Sequence, residues 1–205
     1  MNYWYLIAQF FGIITIILEI VTYQLKDKTK FFMVSSLSSF FWLLMFIFIG
    51  LATGMDTQLS LILAAIYSTF RNGLFYWMTK MDTPETKERG LKILLFMVGL
   101  SLIAGVFTVL SAPPQVRWLH IIGVGASVVF AISQYLPGVH YVRGGVVFVA
   151  VIIGLTQTPI NILEGDLRWN IMGIAIESAK VISVLLFYIK YLKEPKKAQL
   201  QLVKP

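Results

Sequence analysis

The stretch WYLIAQFFGIITIILEIVTYQL, residues 4–25, is an almost unbroken run of apolar side chains with one acid, Glu19. A helix that crosses the hydrocarbon core of a bilayer needs about 20 mostly apolar residues, and this run supplies them. The run is longer than the core of a signal peptide and no basic residue precedes it. We therefore expect a membrane-spanning helix that is retained.

The composition of the whole chain agrees with this first run. Of 205 residues, 58% are hydrophobic and 13% are charged, with a mean hydropathy of +0.78. Soluble domains are typically about half apolar and about a quarter charged, so the sequence predicts an integral membrane protein. There is no cysteine, and the two histidines, His120 and His140, lie far apart. We therefore predict no catalytic residues, no metal site and no cofactor, and we do not expect an enzyme.

Seven apolar windows are long enough, or nearly so, to cross a membrane. They cover residues 4–25, 31–52, 59–77, 93–111, 118–136, 144–156 and 170–189. The sixth is the shortest, although it can be extended back to residue 139, and Pro159 is expected to end its helix. The predicted fold class is all-α: a polytopic membrane protein with seven transmembrane helices.

The basic residues indicate an orientation in the membrane. The segments after the first, third, fifth and seventh windows hold thirteen Lys and Arg, Arg143 among them, while the other side holds only Arg117 and Arg168. The positive-inside rule then places the N-terminus outside and the C-terminus in the cytoplasm. The formal net charge of +7 sits in these short segments rather than in a basic stripe with interleaved aromatics, so nucleic-acid binding is not expected.

The seven windows divide into two similar sets around a middle one. Without the fourth helix, the first three and the last three have the same orientations, as in transporters built from parallel repeats. ILAAIYSTFRN (62–72) then aligns with IMGIAIESAKV (171–181), which places Arg71 on Lys180. This 3+1+3 arrangement predicts a three-helix unit at 1–80, a cytoplasmic loop and linker helix at 81–115, a second unit at 116–193 and a tail at 194–205.

Four ionisable residues fall inside the windows, namely Glu19, Arg71, Glu177 and Lys180. A charge at the centre of such a helix costs about 2.5–3.5 kcal/mol, so it normally faces other helices and finds a partner. Glu19 and Arg71 are both six residues from the inner ends of their windows, hence at similar depth, about 9 Å from the boundary.

Two interpretations of these charges remain open. In one, they line a polar cavity together with Asn72 and Trp42 and bind a solute, with Glu19 or Glu177 able to carry a coupling proton. In the other they are structural, with Glu19 locking onto Arg71 and Glu177 onto Lys180. The segment SSLSS (35–39) is expected to serve close helix packing through its small side chains.

The N-terminal half of the sequence resembles the YgjV-type bacterial inner-membrane proteins. The matching positions are Gly12, Gln24, Lys26, Gly50 and Arg71 with Asn72. That family is similar in layout to the SWEET and PQ-loop transporters, whose characteristic glutamines correspond in position to Gln24 and Gln134, although no proline precedes either one here. The resemblance implies a multi-pass protein of a bacterial inner membrane, with two three-helix units around a linker helix and a role in transport.

Two functions follow as expectations. The first is a transporter of a small polar solute, sugar-like or another small metabolite, that works by alternating access between the two three-helix units. The second is a membrane scaffold or regulatory subunit whose internal charges hold helices together. The expected partners are the lipid bilayer and, for a transporter, the solute; the sequence leaves homo-oligomerisation open.

Overall fold

A computed structural model describes the backbone of residues 3–81, 84–111, 114–136, 138–164 and 167–193. Inside these ranges the side chains of residues 56, 57, 60, 84–88, 108, 111, 153–174, 177 and 191–193 lie outside the description. The predicted tail, 194–205, lies outside it entirely.

The described chain forms seven α-helices. They are α1 (Tyr3–Gln24), α2 (Lys28–Thr53), α3 (Met55–Lys80), α4 (Pro84–Ser111), α5 (Arg117–Tyr135), α6 (Val139–Glu164) and α7 (Leu167–Lys193). The prediction of an all-helical chain is therefore confirmed.

Four segments of described helix are long and apolar enough to cross a membrane. They are Tyr3–Gln24, Lys28–Thr53, Arg89–Phe107 and Arg117–Tyr135, and Val139–Ile152 is a shorter apolar segment. The architecture is consistent with a helical membrane protein. Seven spans, and the 3+1+3 arrangement, remain predictions.

The helices pack into two compact units, Met1–Met81 and Asp82–Pro205. In the first unit α2 packs against both α1 and α3. The Asp27 carboxylate caps the start of α2 by accepting a hydrogen bond of 2.8 Å from the backbone N–H of Lys30, which satisfies one of the free N–H groups of the first turn. Gly54, with φ +114°, makes the turn from α2 into α3, a conformation that side chains rarely adopt. Both connections are short, so consecutive helices run antiparallel.

The first unit exposes apolar side chains and buries polar ones. Large hydrophobic residues on all three helices face outward, such as Phe10 at 60%, Leu63 at 56% and Phe70 at 52% exposed. Among the described side chains of this unit, the buried polar and charged ones are Thr15, Glu19, Thr22, Ser35, Ser38, Ser39, Gln58, Arg71 and Asn72. A soluble protein would avoid so continuous an apolar exterior. A bilayer favours it, and this distribution supports the membrane assignment independently of helix length.

In the second unit, consecutive helices from α4 to α7 pack against one another. Close approach is made possible by glycines: a Cβ at Gly105 would meet Val124 across the α4–α5 contact, and one at Gly145 would meet Ser133 across the α5–α6 contact. Small residues at helix contacts are typical of membrane bundles, where tight packing replaces the hydrophobic effect.

The structure corrects several predicted boundaries. The expectation that Pro159 ends the sixth helix is wrong, because α6 continues to Glu164; prolines are tolerated inside helices of membrane proteins. The extension of the sixth window back to residue 139 is confirmed, because α6 starts at Val139. Arg143, predicted to lie in a loop, therefore belongs to the second turn of this helix. Similarly, α4 starts at Pro84, and the predicted loop before the fourth window is largely helical.

Candidate functional site

A stripe of small and polar residues follows the buried side of α1. Ala8, Gly12, Thr15, Glu19 and Thr22 are all buried, and their spacing alternates between four and three residues. This spacing keeps them on one face of a helix that packs against a neighbour. The stripe brings Glu19 to the contact with α2 and leaves the branched apolar residues of α1 on the outside.

Glu19 contacts α2 through a serine. The Ser38 hydroxyl donates a hydrogen bond of 2.7 Å to Oε1 of Glu19. Glu19 is only 6% exposed and Ser38 is fully buried, and Oε2 of Glu19 is buried with no hydrogen-bond partner. The carboxyl group is thus half satisfied, although a buried carboxylate normally has partners for both oxygens.

On the part of α2 that contacts α3, two serines hold Asn72 of α3. The Asn72 side-chain amide donates to Ser39 Oγ at 2.9 Å and to Ser35 Oγ at 3.0 Å. Ser39 Oγ also lies 3.2 Å from the hydroxyl oxygen of Ser68 on α3. Since Ser38 and Ser39 are adjacent, α2 presents hydroxyls to both of its neighbours at one level. We name Glu19, Ser35, Ser38, Ser39, Ser68 and Asn72 the serine network.

Arg71 is buried next to Asn72, with 6% of its surface exposed. Its guanidinium carbon lies 5.4 Å from the ring centroid of Tyr67, one turn earlier on α3, a distance at which an aromatic face attracts a cation. It also interacts electrostatically with the phenol group of Tyr23 on α1. Tyr23 follows Glu19 by one turn on the buried stripe, so Arg71 and Glu19 belong to neighbouring parts of the same unit.

The structure changes two expectations about these residues. The predicted lock between Glu19 and Arg71 is not formed, because Oε1 accepts from Ser38 and Oε2 accepts from no group. The SSLSS segment does more than allow close packing, since its hydroxyls form specific hydrogen bonds with α1 and α3. In the sequence, no single serine of α2 indicated which residue of another helix it would contact. The signal was their number, because four serines at positions 35, 36, 38 and 39 place hydroxyls on more than one side of the helix.

Trp42, the sixth predicted site residue, is half-buried on α2. Its ring packs edge-on against Phe46 at a centroid distance of 4.9 Å. It lies one turn beyond Ser38 and Ser39, so the indole borders the serine network along the helix axis. Nothing in this geometry assigns it to solute binding.

The predicted pair in the last helix is described only in part. Lys180 is half-buried on α7. The side chain of Glu177 lies outside the described residues. Their predicted contact, and the predicted equivalence of Lys180 with Arg71, therefore stay predictions.

A second buried arginine was missed by the sequence analysis. Arg143 on α6 is 2% exposed, and its guanidinium carbon lies 3.4 Å from the ring centroid of Phe187 on α7. This is face-on contact of a planar cation with an aromatic ring. Counting Arg143 as a loop cation hid it, although its place only four residues after Val139 allowed a helix that starts earlier.

The fold and these buried polar groups are consistent with a helical membrane protein. The chain matches no family model, no curated protein and no solved structure. The resemblance to the YgjV-type proteins therefore stays a prediction.

Proposed function

We propose that this protein is a transporter of a small polar solute and that the serine network contributes to its binding site. The observation that carries this proposal is the half-satisfied Glu19 carboxyl: Oε2 is buried without a hydrogen-bond partner. A polar group that serves only to hold helices together is expected to be fully paired, because an unmade hydrogen bond in an apolar interior costs about 1–3 kcal/mol or more. A solute hydroxyl or amine is a suitable donor to the free oxygen.

The chemistry of the network suits a neutral, hydroxyl-rich or amide-bearing solute. Serine hydroxyls both donate and accept, and the carboxylate accepts. Transport by this protein would use seven spans in a 3+1+3 arrangement, with alternating access produced by movement of the two three-helix units. The cytoplasmic C-terminus belongs to the same proposal and is supported by the distribution of Lys and Arg. The bacterial inner-membrane location also belongs to it and is supported by the resemblance to the YgjV-type proteins.

The alternative, a scaffold or regulatory subunit, is favoured by a different observation. Asn72 donates two good hydrogen bonds to serines of the neighbouring helix, which is how polar groups join helices in membranes. If the serine network served only to join helices in this way, the protein would not require a solute.

Thermal-shift screening distinguishes the two functions. Purified protein is tested against sugars, nucleosides, amino acids and organic acids, since a ligand that binds only the folded state stabilises it by about 2.7 kcal/mol at a concentration 100-fold above its Kd. Each hit is repeated with Glu19→Gln and with Ser36→Ala, a hydroxyl of the same segment outside the serine network.

Transport predicts a hit that is retained by Ser36→Ala, weakened by Glu19→Gln and taken up by proteoliposomes. If no solute in a broad library raises the melting temperature, the scaffold becomes the better account.

A further inference from the structure

The Ser38 hydroxyl has one hydrogen and two acceptors. It lies 2.7 Å from Oε1 of Glu19 and 3.5 Å from the backbone carbonyl oxygen of Thr15. Only one of these can receive the hydrogen well at a time. The shorter distance indicates that Ser38 donates its hydrogen to the Glu19 carboxylate in this structure. The Thr15 carbonyl oxygen, one turn earlier on the same helix, is a second possible acceptor.

The carboxyl that Ser38 contacts is poorly compensated as an anion. In the part of the chain that the structure describes, Ser38 is the single hydrogen-bond partner of the Glu19 carboxyl, and Oε2 has none. Burying a charge without such compensation is expensive, and groups in this situation are commonly neutralised by a proton. Glu19 lies five residues before the end of α1, about 7.5 Å along the axis at the rise of an α-helix.

Few titratable groups surround Glu19. On α2, the helix packed against α1, the charged residues are Asp27 at the cap and Lys28 and Lys30 in the first turn, and Lys30 is about 12 Å along the axis from Ser38. On α1 itself, Tyr23 lies one turn further on, and it connects electrostatically to Arg71 of α3. None of these groups hydrogen-bonds the Glu19 carboxyl.

We propose that Glu19 is a proton-binding site that couples proton movement to the solute transport proposed above, and that Ser38 changes its hydrogen-bond acceptor with the state of Glu19. This inference rests on the proposed function for its coupling role, whereas proton binding itself needs no solute. It assigns the residue that carries the coupling proton, which the sequence left open between Glu19 and Glu177.

The exchange is balanced in protons. The carboxylate takes up one proton from water and becomes a neutral acid. With that hydrogen on Oε1, Glu19 donates to Ser38 Oγ, and the hydrogen of Ser38 turns to the Thr15 carbonyl. Release returns the proton to water and restores the hydrogen bond from Ser38 to the carboxylate. Because Ser39 is next to Ser38 and holds Asn72, a shift of α2 that follows this exchange reaches α3.

A proton fits this site better than a metal cation. Hard cations such as Ca²⁺ and Mg²⁺ are bound by about six or more oxygens. Here one carboxyl group, one hydroxyl and one carbonyl come together, and the described residues include no group of three acidic, histidine or cysteine side chains.

Infrared difference spectroscopy between acidic and neutral buffer tests the proposal directly on purified full-length protein in lipid nanodiscs, without any solute. Protonation of a buried carboxylate produces a carbonyl stretch of the acid form. We expect such a band in the wild type, its loss in Glu19→Gln, a shifted band in Ser38→Ala, which removes the hydroxyl partner, and an unchanged band in Ser36→Ala. Ser38→Ala keeps the acid in place and so remains informative if Glu19→Gln folds poorly.

Two results would overturn the inference. One is a band that persists unaltered in Glu19→Gln, because the titrating acid would then be another residue. The other is a wild type without a pH-dependent band. If the melting temperature of that protein also rises with NaCl but not with choline chloride, and Glu19→Gln loses this effect, the site binds a metal cation instead. If the pH-dependent carbonyl band is present but no solute binds, transport is refuted and proton binding is not. If a solute binds but the band is absent, proton binding is refuted and transport is not.

Discussion

Replacing Asn72 by alanine tests the central contact of the serine network. The change removes two side-chain hydrogen bonds between α3 and α2, at 2.9 and 3.0 Å. Each interhelical hydrogen bond in a membrane protein contributes about 0.6 kcal/mol on average and about 1.7 kcal/mol at most. Two of them give an expected loss of stability of about 1.2 kcal/mol, and no more than about 3.4 kcal/mol on the same scale.

The loss falls unequally on the two serines. Ser39 keeps its contact with the Ser68 hydroxyl, at 3.2 Å, so its own group stays paired when Asn72 is shortened. Ser35 loses its Asn72 contact. We therefore expect Asn72→Ala to couple more strongly to Ser35→Ala than to Ser39→Ala in double-mutant cycles, with coupling energies on the order of 0.5–1.5 kcal/mol.

Reversible unfolding in mixed micelles, followed by circular dichroism, measures these differences. Ser36→Ala is the matched control, because its hydroxyl makes only a 3.5 Å contact with the carbonyl of Thr69, and we expect it to change stability by less than about 0.5 kcal/mol. If Asn72→Ala is no more destabilising than Ser36→Ala, or if neither cycle shows coupling, the hydrogen bonds of Asn72 do not hold α3 to α2 and the serine network is not a structural unit.

Two further predictions concern the second unit. Gly145→Ala is expected to destabilise the protein by about 1–3 kcal/mol, because the new Cβ would overlap Ser133. Gly144 has open space around it, so Gly144→Ala is expected to be neutral or to stabilise the protein by up to about 1 kcal/mol through helix propensity. Equal changes in the free energy of unfolding would contradict the close approach of α5 and α6. Arg143→Lys keeps the charge but loses the planar contact with Phe187, so we expect a loss of about 0.5–2 kcal/mol. The exposed Arg117→Lys is its control, and an equally small effect at both positions would refute the importance of the stacked pair.

Helix content and membrane character followed from the sequence because they depend on local composition. Long apolar runs predict helices in a bilayer, where each backbone N–H and C=O must be satisfied within its own segment. The same reasoning located the connections near Asp27 and Gly54. It was less successful at helix ends: α4 begins earlier than predicted and α6 passes Pro159, because polar residues can form helix and a proline is tolerated inside helices of membrane proteins.

For the candidate site, the sequence supplied the residues but not their partners. Depth along a helix placed Glu19 and Arg71 at one level, and the cost of an intramembrane charge required that they face other helices. Which side chains come into contact depends on the rotation of each helix about its axis. In α1, whose side chains are almost all apolar, the single acid Glu19 did not show which face of the helix is buried.

The sequence by itself determined that this chain is an apolar, all-helical protein with a few ionisable groups inside its helices, since hydrophobicity and helix formation are properties of short segments. Only the tertiary structure decided that α2 lies between α1 and α3, that Ser38 rather than Arg71 contacts the Glu19 carboxyl, and that Arg143 stacks on Phe187. A hydrogen bond or a stacked pair requires an approach within a few ångströms between residues distant in sequence, and helix packing alone creates that approach.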